Sequence, residues 1–309
     1  MSDDLDLLVI GDANPDVVLT GVPGELGYGQ AEQLVESGTL TVGGSAAILA
    51  CGAARLGLSV GLVAAVGDDA AGRFMLDELR ARGVDVRGCH VVENVPSGLT
   101  VNLTRGDDRA VLTSTGSIMV LEAAMVERAL LRSARHVHAS SFFLQAALAA
   151  GLRGLFDETL AAGASTSLDT NWDPDERWDG PLNDVLAAVD ILFVNEEEAR
   201  AIAGVAGDAE VAAQALAKRG LLPVVKRGVE GALAWEGGRA LRAAAPFVRI
   251  AAAVGAGDSF DAGYLCGHLG GRDTAASLAL AVACGTLSTR LGGGVDGQAT
   301  LAEAEAALR

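Results

Sequence analysis

The sequence is poor in aromatic residues and in basic residues. Aromatics make up only 4% of the 309 positions although half of all residues are hydrophobic, so Ala, Val and Leu must fill the interior, which is typical of a sheet covered by helices. Lys and Arg number 23 against 40 Asp and Glu, which gives a formal net charge of −17. Because binding to nucleic acid or to an anionic membrane needs clustered basic residues, we expect neither as a partner.

Cysteine is also scarce, and long apolar runs are lacking. The four cysteines form neither a CxxC pair nor a Cys/His cluster, which excludes a disulfide framework and a zinc site from the prediction. No run approaches the length of a transmembrane helix, and the acidic start MSDDLDLLVIGD lacks the basic region and the long apolar core of a signal peptide. The sequence therefore predicts free thiols and residence in the cytoplasm.

Short apolar runs alternate with helical patterns along most of the chain. The run 5–10 predicts a buried strand, the Ala-rich stretch 46–57 predicts a helix, and the run 59–66 predicts a second strand. An amphipathic helix is predicted at 70–82, and further strands are predicted at 137–140, 165–169, 191–195 and 222–226. This order predicts an α/β fold, with a central, mostly parallel sheet flanked by helices on both faces, in a single domain over residues 1–309.

Two segments, about residues 13–42 and 97–117, break this alternation. The second contains LTVNLT and AVLTS on either side of the turn-forming RGDDR, which predicts a β-hairpin. Since neither segment alternates with helices, we place both in a small β lid that is inserted in the domain and covers a site. A surface hairpin without a functional role fits the pattern equally well.

The motif with the most chemical content is GAGDSF at residues 255–260, at the start of the helical pattern DSFDAGYLCGHL. Small residues at Gly255, Ala256 and Gly257 allow successive backbone N–H groups to converge on an anion, and the helix dipole adds positive potential there. Asp258 at the same helix start would accept the proton of a hydroxyl that attacks a phosphoryl group. For an isolated GxGD motif, however, an N-cap after a turn is the better interpretation.

Four short motifs, in order along the chain, resemble those of the ribokinase-like (PfkB) family of sugar and nucleoside kinases. They are GGSAA at 43–47 with a helix that ends in AARLG, GDDAAG at 67–72, NEEE at 195–198, and GAGDSF. The resemblance implies a ribokinase-like fold with a small β lid over the acceptor. It also implies transfer of the γ-phosphoryl group of ATP, with Mg²⁺, to a hydroxyl of a sugar or nucleoside; we expect a primary hydroxyl. Relatives often dimerise through the lid, so a homodimer is a further expectation.

The resemblance also assigns roles to individual residues. Asp258 would be the general base, and the amides of Gly255, Ala256 and Gly257 would form an anion hole. Asn195 and Glu198 match the NxxE pattern that organises Mg²⁺ and the phosphates, with Glu198 acting on the metal through water, which suits an ion that usually retains waters. Lys226 and Gly228 match a segment near the nucleotide, and the polar acceptor positions are Asn14, Asp16, Gly43 and Gly44.

These assignments have structural alternatives. Residues 195–198 also fit an acidic helix start, Asn14-Pro15-Asp16 also fits an Asx-Pro turn, and Lys226 also fits a solvated residue at a strand end. Arg105 and Arg109 in the hairpin would suit a phosphorylated sugar, but a solvated turn explains them better.

Two positions depart from the family pattern. Ile48 stands where the family usually has the Asn of GGxxxN, which leaves the identity of the sugar open. Ala252 stands where many relatives have an Asp that helps to bind an activating monovalent cation, so K⁺ activation is not assumed. Both departures motivate an alternative, a non-catalytic sugar- or nucleotide-binding regulatory module of the same fold. A nicotinamide-dependent oxidoreductase is less well supported, because Phe260 replaces the third glycine of its fingerprint.

Overall fold

The structure is a computed structural model that describes residues 4–30, 32–105, 108–251, 253–291 and 294–309, without the side chains of residues 108 and 109. Its strands are β1 Leu5–Ile10, β2 Asn14–Thr20, β3 Ser37–Gly43, β4 Val60–Val63, β5 Ala65–Gly67, β6 His90–Val92, β7 Leu99–Arg105, β8 Asp108–Ser114, β9 Ala134–Ala139, β10 Ser165–Asp169, β11 Ile191–Asn195, β12 Leu222–Lys226, β13 Ala232–Glu236 and β14 Arg239–Ala243. Its helices are α1 Ser45–Arg55, α2 Ala70–Ala81, α3 Arg128–Ser133, α4 Ala146–Ala161, α5 Leu182–Leu186, α6 Glu196–Ala203, α7 Ala209–Ala217, α8 Ala256–Leu269, α9 Thr274–Ser288 and α10 Leu301–Ala306.

An eight-stranded sheet forms the centre of the fold, in the order β14-β13-β12-β11-β10-β9-β1-β4. The strands from β12 to β4 run parallel, which confirms the predicted mostly parallel sheet. The hairpin β13–β14 adds two antiparallel strands at one edge, and the sequence analysis did not identify it. Its signal is the turn Gly237-Gly238, where both residues have positive φ, 59° and 80°, as a tight hairpin turn of the primed type requires.

Helices cover both faces of this sheet, and alternate residues of each central strand enter different hydrophobic cores. Leu7 and Phe193 lie in the core under α1, α8 and α9, whereas Leu8 and Leu192 lie in the core under α4 and α7. Burial on both faces explains why these strands have continuous apolar sequences rather than alternating ones. Among the described residues, no helix is long and apolar enough to cross a membrane.

The two predicted lid segments supply a separate four-stranded sheet, in the order β3-β2-β7-β8. The predicted hairpin is β7–β8, and its turn residues 106 and 107 lie outside the described part of the chain, as does the side chain of Arg109. Asp69, the N-cap of α2, accepts hydrogen bonds from the backbone N–H and the hydroxyl of Ser97, at 2.8 and 2.7 Å. The GDDAAG motif therefore fixes the start of the second lid segment.

The two faces of the lid sheet differ in polarity. One cross-strand row contains Thr41, Asp16, Thr100 and Thr113, and the next row on the opposite face contains Leu40, Val17, Val101 and Leu112. Leu40 and Leu112 are 53% and 58% exposed, whereas Asp16 is buried. Strand alternation thus gives the lid one polar face and one apolar, largely uncovered face.

A row of buried hydrogen bonds connects β9 and β10 inside the central sheet. His136 bonds through its two ring nitrogens to the hydroxyls of Ser165 and Ser167, both at 2.6 Å. His138 bonds to Ser167 at 2.7 Å and to Ser140 at 2.8 Å. Hydroxyls both donate and accept, so they satisfy neutral imidazole rings. Burial lowers the pKa of His136 well below its usual value and that of His138 to about 3.

We predict that these histidines make the fold sensitive to acid. Below pH 6.5 the unfolded chain binds protons that the buried rings do not, so the free energy of unfolding falls as the pH drops from 6.5 towards 3, by about 2 kcal/mol per ring at pH 5. Urea unfolding between pH 7.5 and 4.5 measures this loss, and the His138→Gln variant, whose amide donates and accepts without titrating, should lose less. Parallel pH profiles for the two proteins would contradict the prediction.

Candidate active site

The carboxyl edge of the central sheet carries a cluster of charged and polar residues. Asp12 follows β1, Asp169 ends β10, Asn195 ends β11 and Lys226 ends β12. Since the carboxyl ends of parallel strands meet at one edge, these residues lie around the same crevice, where α/β proteins bind their ligands.

The GAGD segment reaches this edge from the start of α8. Gly255 has φ 75° and precedes the first helical residue, Ala256. The first hydrogen bond within the helix runs from the N–H of Ser259 to the carbonyl of Gly255, so the amides of Gly257 and Asp258 have no acceptor in the helix. The N–H of Ala256 donates to the carbonyl of Ala253 at 3.3 Å, so this hydrogen bond must break before the amide can bind an anion. The helix start thus has the open donors that an anion hole requires.

Asp258 is half-buried in the first turn of α8, where its carboxylate lies near the side chain of Ser45. Ser45 follows Gly43-Gly44, so the carboxylate is next to the predicted acceptor positions. Burial raises the pKa of Asp258 to about 7; nearby Asp169 and Asp12 act in the same direction, while Lys226 and Ser45 act against them. A carboxyl group with a pKa near neutrality is suited to act as a general base.

Lys226 lies directly beneath the GAGD segment. Its ammonium is 2.5 Å from Oδ2 of Asp169 and 3.2 Å from Oδ2 of Asp261. The same nitrogen would be 3.5 Å from a Cβ atom placed on Gly257. The interpretation of Lys226 as a solvated strand-end residue is therefore wrong.

The two carboxyl groups that contact Lys226 have opposite pKa shifts. Burial opposes the ionisation of Asp169, but Lys226 and the hydrogen bond from Asp261 outweigh it and lower its pKa below the usual value. Burial raises the pKa of Asp261 well above its usual value, and Asp169 adds to this shift. The two shifts favour an ionised Asp169 and a protonated Asp261 beside the ammonium.

Asn195 and Glu198 form a capping box at the start of α6. Oδ1 of Asn195 accepts from the N–H groups of Glu197 and Glu198 at 2.8 and 2.9 Å, and Oε2 of Glu198 accepts from the N–H of Asn195 at 2.8 Å. Glu198 is buried, and burial together with Asp169 raises its pKa to about 7. The NxxE pattern thus has a definite role in helix capping, and it brings a carboxyl group close to the Lys226 cluster.

Gly228 lies two residues beyond Lys226 at the same edge. It has φ 54°, and a Cβ atom there would meet no heavy atom within 4 Å. The backbone is thus open to a ligand at this point, as the predicted nucleotide-side position requires.

The acceptor-side residues lie on the polar face of the lid sheet. Asn14 and Asp16 belong to strand β2, so the interpretation of this segment as an Asx-Pro turn is wrong. The amide group of Asn14 donates to Thr100 at 3.1 Å, and that of Asn102 donates to Asp16 at 3.1 Å. Burial raises the pKa of Asp16 to about 7, with a further contribution from Asp12. Asn14 and Asp16 are therefore joined to the second lid segment.

The glycine pair makes room for these carboxylates. A Cβ atom on Gly43 would lie 1.9 Å from Oδ1 of Asp16, which no side chain tolerates. Gly44 has φ 82°, and after it the amides of Ser45 and Ala46 donate to Asp12 at 3.2 and 3.0 Å. The GGS motif therefore positions Asp12, Asp16 and the start of α1 together.

Ile48, the departure from GGxxxN, is only 3% exposed. Its Cγ2 would be 3.1 Å from a Cβ atom on Gly255, so it packs against the GAGD segment from α1. The residue therefore has a packing role and does not by itself argue against catalysis. The other departure, Ala252, lies outside the described residues.

Sequence reasoning missed several residues of this site. Asp169 was recognised only as the end of a strand, and Asp261 was not noted although it follows Asp258 by three positions and so lies on the same side of α8. Asn171 was also missed; its amide donates to the hydroxyl of Ser45 at 2.9 Å. A usable signal for Asp169 and Asn171 was their place at the carboxyl end of a predicted parallel strand.

We predict that Lys226→Met destabilises the protein by about 3–5 kcal/mol, because it leaves buried carboxyl groups without their cation. Urea unfolding at pH 8 measures the loss. The double variant with Asp169→Asn should recover part of it, since the uncompensated charge is then gone. If Lys226→Met unfolds at the wild-type urea concentration, the cluster has no structural role.

Comparison with known proteins agrees with this geometry. The model of the pfkB family carbohydrate kinases matches residues 4–300. The chain is 30% identical to the fructoselysine 6-kinase of Shigella flexneri over 78% of its own length and 87% of the relative's. It is 30% identical to the ATP-dependent ribose-1-phosphate kinase of Halopiger xanaduensis over 91% of both chains. The Arabidopsis thaliana ribokinase complexed with ribose and ATP superposes with a TM-score of 0.85 at 21% identity, over 99% of both chains. The ribokinase-like fold, the motif order and these matches together show that the chain belongs to the pfkB family of carbohydrate kinases.

Proposed function

We propose that the protein transfers the γ-phosphoryl group of MgATP to a hydroxyl, specifically a primary hydroxyl, of a sugar or nucleoside, with Asp258 as the general base. The observation that carries this proposal is the position of Asp258. Its carboxylate lies in the same helical turn as the open amide of Gly257 and near Ser45 on the acceptor side. A base and an anion-binding helix start thus adjoin one another, as phosphoryl transfer requires.

Burial and the neighbouring charged residues set the pKa of Asp258, the proposed base. A pKa near 7 leaves about half of Asp258 ionised at neutral pH, and the ionised form can take the proton of an attacking hydroxyl. The negative charges of Asp169 and Asp12 increase its basicity, whereas Lys226 limits that increase.

Negative charge on the phosphates would be stabilised from one side by the first turn of α8. The amides of Gly255, Ala256 and Gly257 would converge on the transferred group, and the helix dipole adds to their effect. The ammonium of Lys226 also lies beneath Gly257, with the carboxylate of Asp169 paired to it on the side of the sheet. Gly228 leaves the backbone open for the rest of the nucleotide.

The residues present fit a magnesium ion held mainly by water and phosphate. Among the described residues, no group of three His, Cys, Asp or Glu side chains forms a metal cluster, and Mg²⁺ does not require one. Oε2 of Glu198 is used in the capping box, which leaves Oε1 to orient a bound water, and Asn195 holds this carboxyl group in place. When bound, the ion would neutralise phosphate charge.

The acceptor would lie between the GGS motif and the polar face of the lid. Asn14 donates and Asp16 accepts hydrogen bonds, a combination suited to neighbouring hydroxyls, while Gly43 and Gly44 allow close approach of the backbone. We place the lid segments 13–42 and 97–117 as insertions in one domain over this site. The relatives named above act on different sugars, so their names identify a class of acceptor rather than one compound. Residence in the cytoplasm, where ATP is available, belongs to the same proposal.

The apolar face of the lid supports a second proposal, that two copies of the chain pair through it. Its central row, Leu40, Val17, Val101 and Leu112, crosses all four strands, and the outer two are more than half exposed. A continuous apolar row on an uncovered sheet face favours association with an identical face.

We predict that kcat/KM for the acceptor rises with pH through about 7 and then levels off, because Asp258 must be ionised. The Asp258→Asn variant should lose a factor of about 10²–10⁴ in kcat, the usual contribution of a general base. A coupled assay of ADP release between pH 5.5 and 9 measures both, with near-ultraviolet circular dichroism as a control for folding. A flat profile, or an Asp258→Asn enzyme within tenfold of wild type, would refute the role of the base.

We predict that Leu112→Glu yields a monomer, because it places a charge at the exposed end of the apolar row. Sedimentation velocity of the wild type and of the variant tests this, with Leu160→Glu on α4, outside the lid, as the matched control. A wild-type protein that sediments as a monomer at micromolar concentration would exclude the lid dimer.

A further inference from the structure

A continuous stack of aromatic rings lies at the carboxyl ends of β9 and β10. Phe142, Phe143, Trp178 and Trp172 contact one another edge to face in that order, with centroid distances of 5.2, 5.4 and 5.3 Å. This concentration is unusual in a chain with only 4% aromatics. Three of the rings are buried or partly buried, but Trp172 at the end of the stack is 44% exposed. The stack therefore supports one indole that faces solvent.

The backbone around this stack is strained. Among the described residues, five other than glycine have positive φ, and four of them are here: Ser141, Asn171, Glu176 and Trp178, with φ between 52° and 56°. The carboxylate of Asp173 stabilises this loop conformation, because it accepts hydrogen bonds from the backbone amides of Asp175, Arg177 and Trp178 at 3.0, 2.9 and 2.7 Å. Such strain persists where surrounding contacts impose it, and it is concentrated at functional sites.

Hydrogen bonds connect the stack to the active site. Oδ1 of Asn171 accepts from the N–H of Ser141 at 2.7 Å, and Nδ2 of Asn171 donates to Ser45 at 2.9 Å. Ser45 in turn lies near Asp258. Trp172 is the next residue after Asn171, so its backbone adjoins the residue that reaches Ser45.

The charges on this side of the site are predominantly negative. Residues 172–179 read WDPDERWD, and the guanidinium of Arg177 is already paired with Asp175 at 2.8 Å and with Asp179 at 3.8 Å. Asp12 and Asp16 accept hydrogen bonds from uncharged amide donors. A phosphate or carboxylate on the acceptor would be repelled here, whereas a cation would be attracted.

We propose that Trp172 forms a subsite for a positively charged amine carried by the acceptor sugar, so that the substrates are amine-substituted sugars rather than phosphorylated or acidic ones. An ammonium group over the face of an indole is attracted by the ring quadrupole, and the neighbouring carboxylates add to this attraction. The inference rests on the proposed kinase function, since the sugar must occupy the acceptor site for its substituent to reach Trp172.

The experiment compares three acceptors: fructose, fructose whose C1 carries a 4-aminobutylamino chain, and the same compound with both nitrogens acetylated. Wild-type enzyme should phosphorylate the amine with a higher kcat/KM than the acetylated form. Trp172→Leu should lower kcat/KM for the amine by about two- to thirtyfold, the range of a cation–π contact, and should change the value for fructose by less than about twofold.

Two further variants separate the contact from general effects of losing an aromatic ring. Trp172→Phe should retain part of the preference for the amine, and Trp235→Leu on β13 should retain all of it. Equal kcat/KM for the amine and its acetylated form in the wild type, or an unchanged preference in Trp172→Leu, would overturn the subsite.

Calorimetric binding of the amine separates this inference from the proposed function. If no acceptor is phosphorylated, the kinase proposal fails, and the subsite is then judged by binding alone. Weaker binding of the amine to Trp172→Leu than to wild type supports the subsite, whereas equal binding to both overturns it.

Discussion

The ammonium of Lys226 contacts carboxyl groups from two other elements, Asp169 at the end of β10 and Asp261 on α8. Removing an ammonium and its partner carboxylate from water is costly, and their attraction offsets this cost only when the geometry is closely defined. The pairing therefore fixes the first turn of α8 against the edge of the sheet. The position of Asp258 and the direction of the open amides both depend on this contact.

The same cluster sets the protonation states of the site. Lys226 outweighs burial and lowers the pKa of Asp169. Burial raises the pKa values of Asp258 and Glu198 towards neutrality, and the charge of Asp169 adds to both shifts. The two carboxyl groups, which lie on different helices, thus share a charged neighbour.

The central fold was predictable because the apolar runs, the helical patterns between them and the order of the motifs all indicate the same α/β arrangement. Strands β10, β11 and β12 begin and end where their apolar runs do, since burial on both faces requires an uninterrupted run. The order of motifs located Asp258, Asn195 and the GGS segment. Asp261 and Asn171 escaped prediction because their roles arise from contacts across 35 and 126 positions of the sequence, with Lys226 and Ser45, and no local pattern encodes such pairings.

The lid sheet is assembled from segments far apart in the chain. Its central pair, β2 and β7, is parallel, and the polar row that would face the acceptor combines Asp16 from the first segment with Thr100 from the second, more than 80 positions later. A parallel pairing of this kind cannot close as a local hairpin, and the chain between the two strands includes the β4–α2 unit. The polar row of the lid therefore cannot be transferred between relatives with one segment alone. Recombination that exchanged only one lid segment would pair a strand of one protein with a strand of another and would combine two different polar rows.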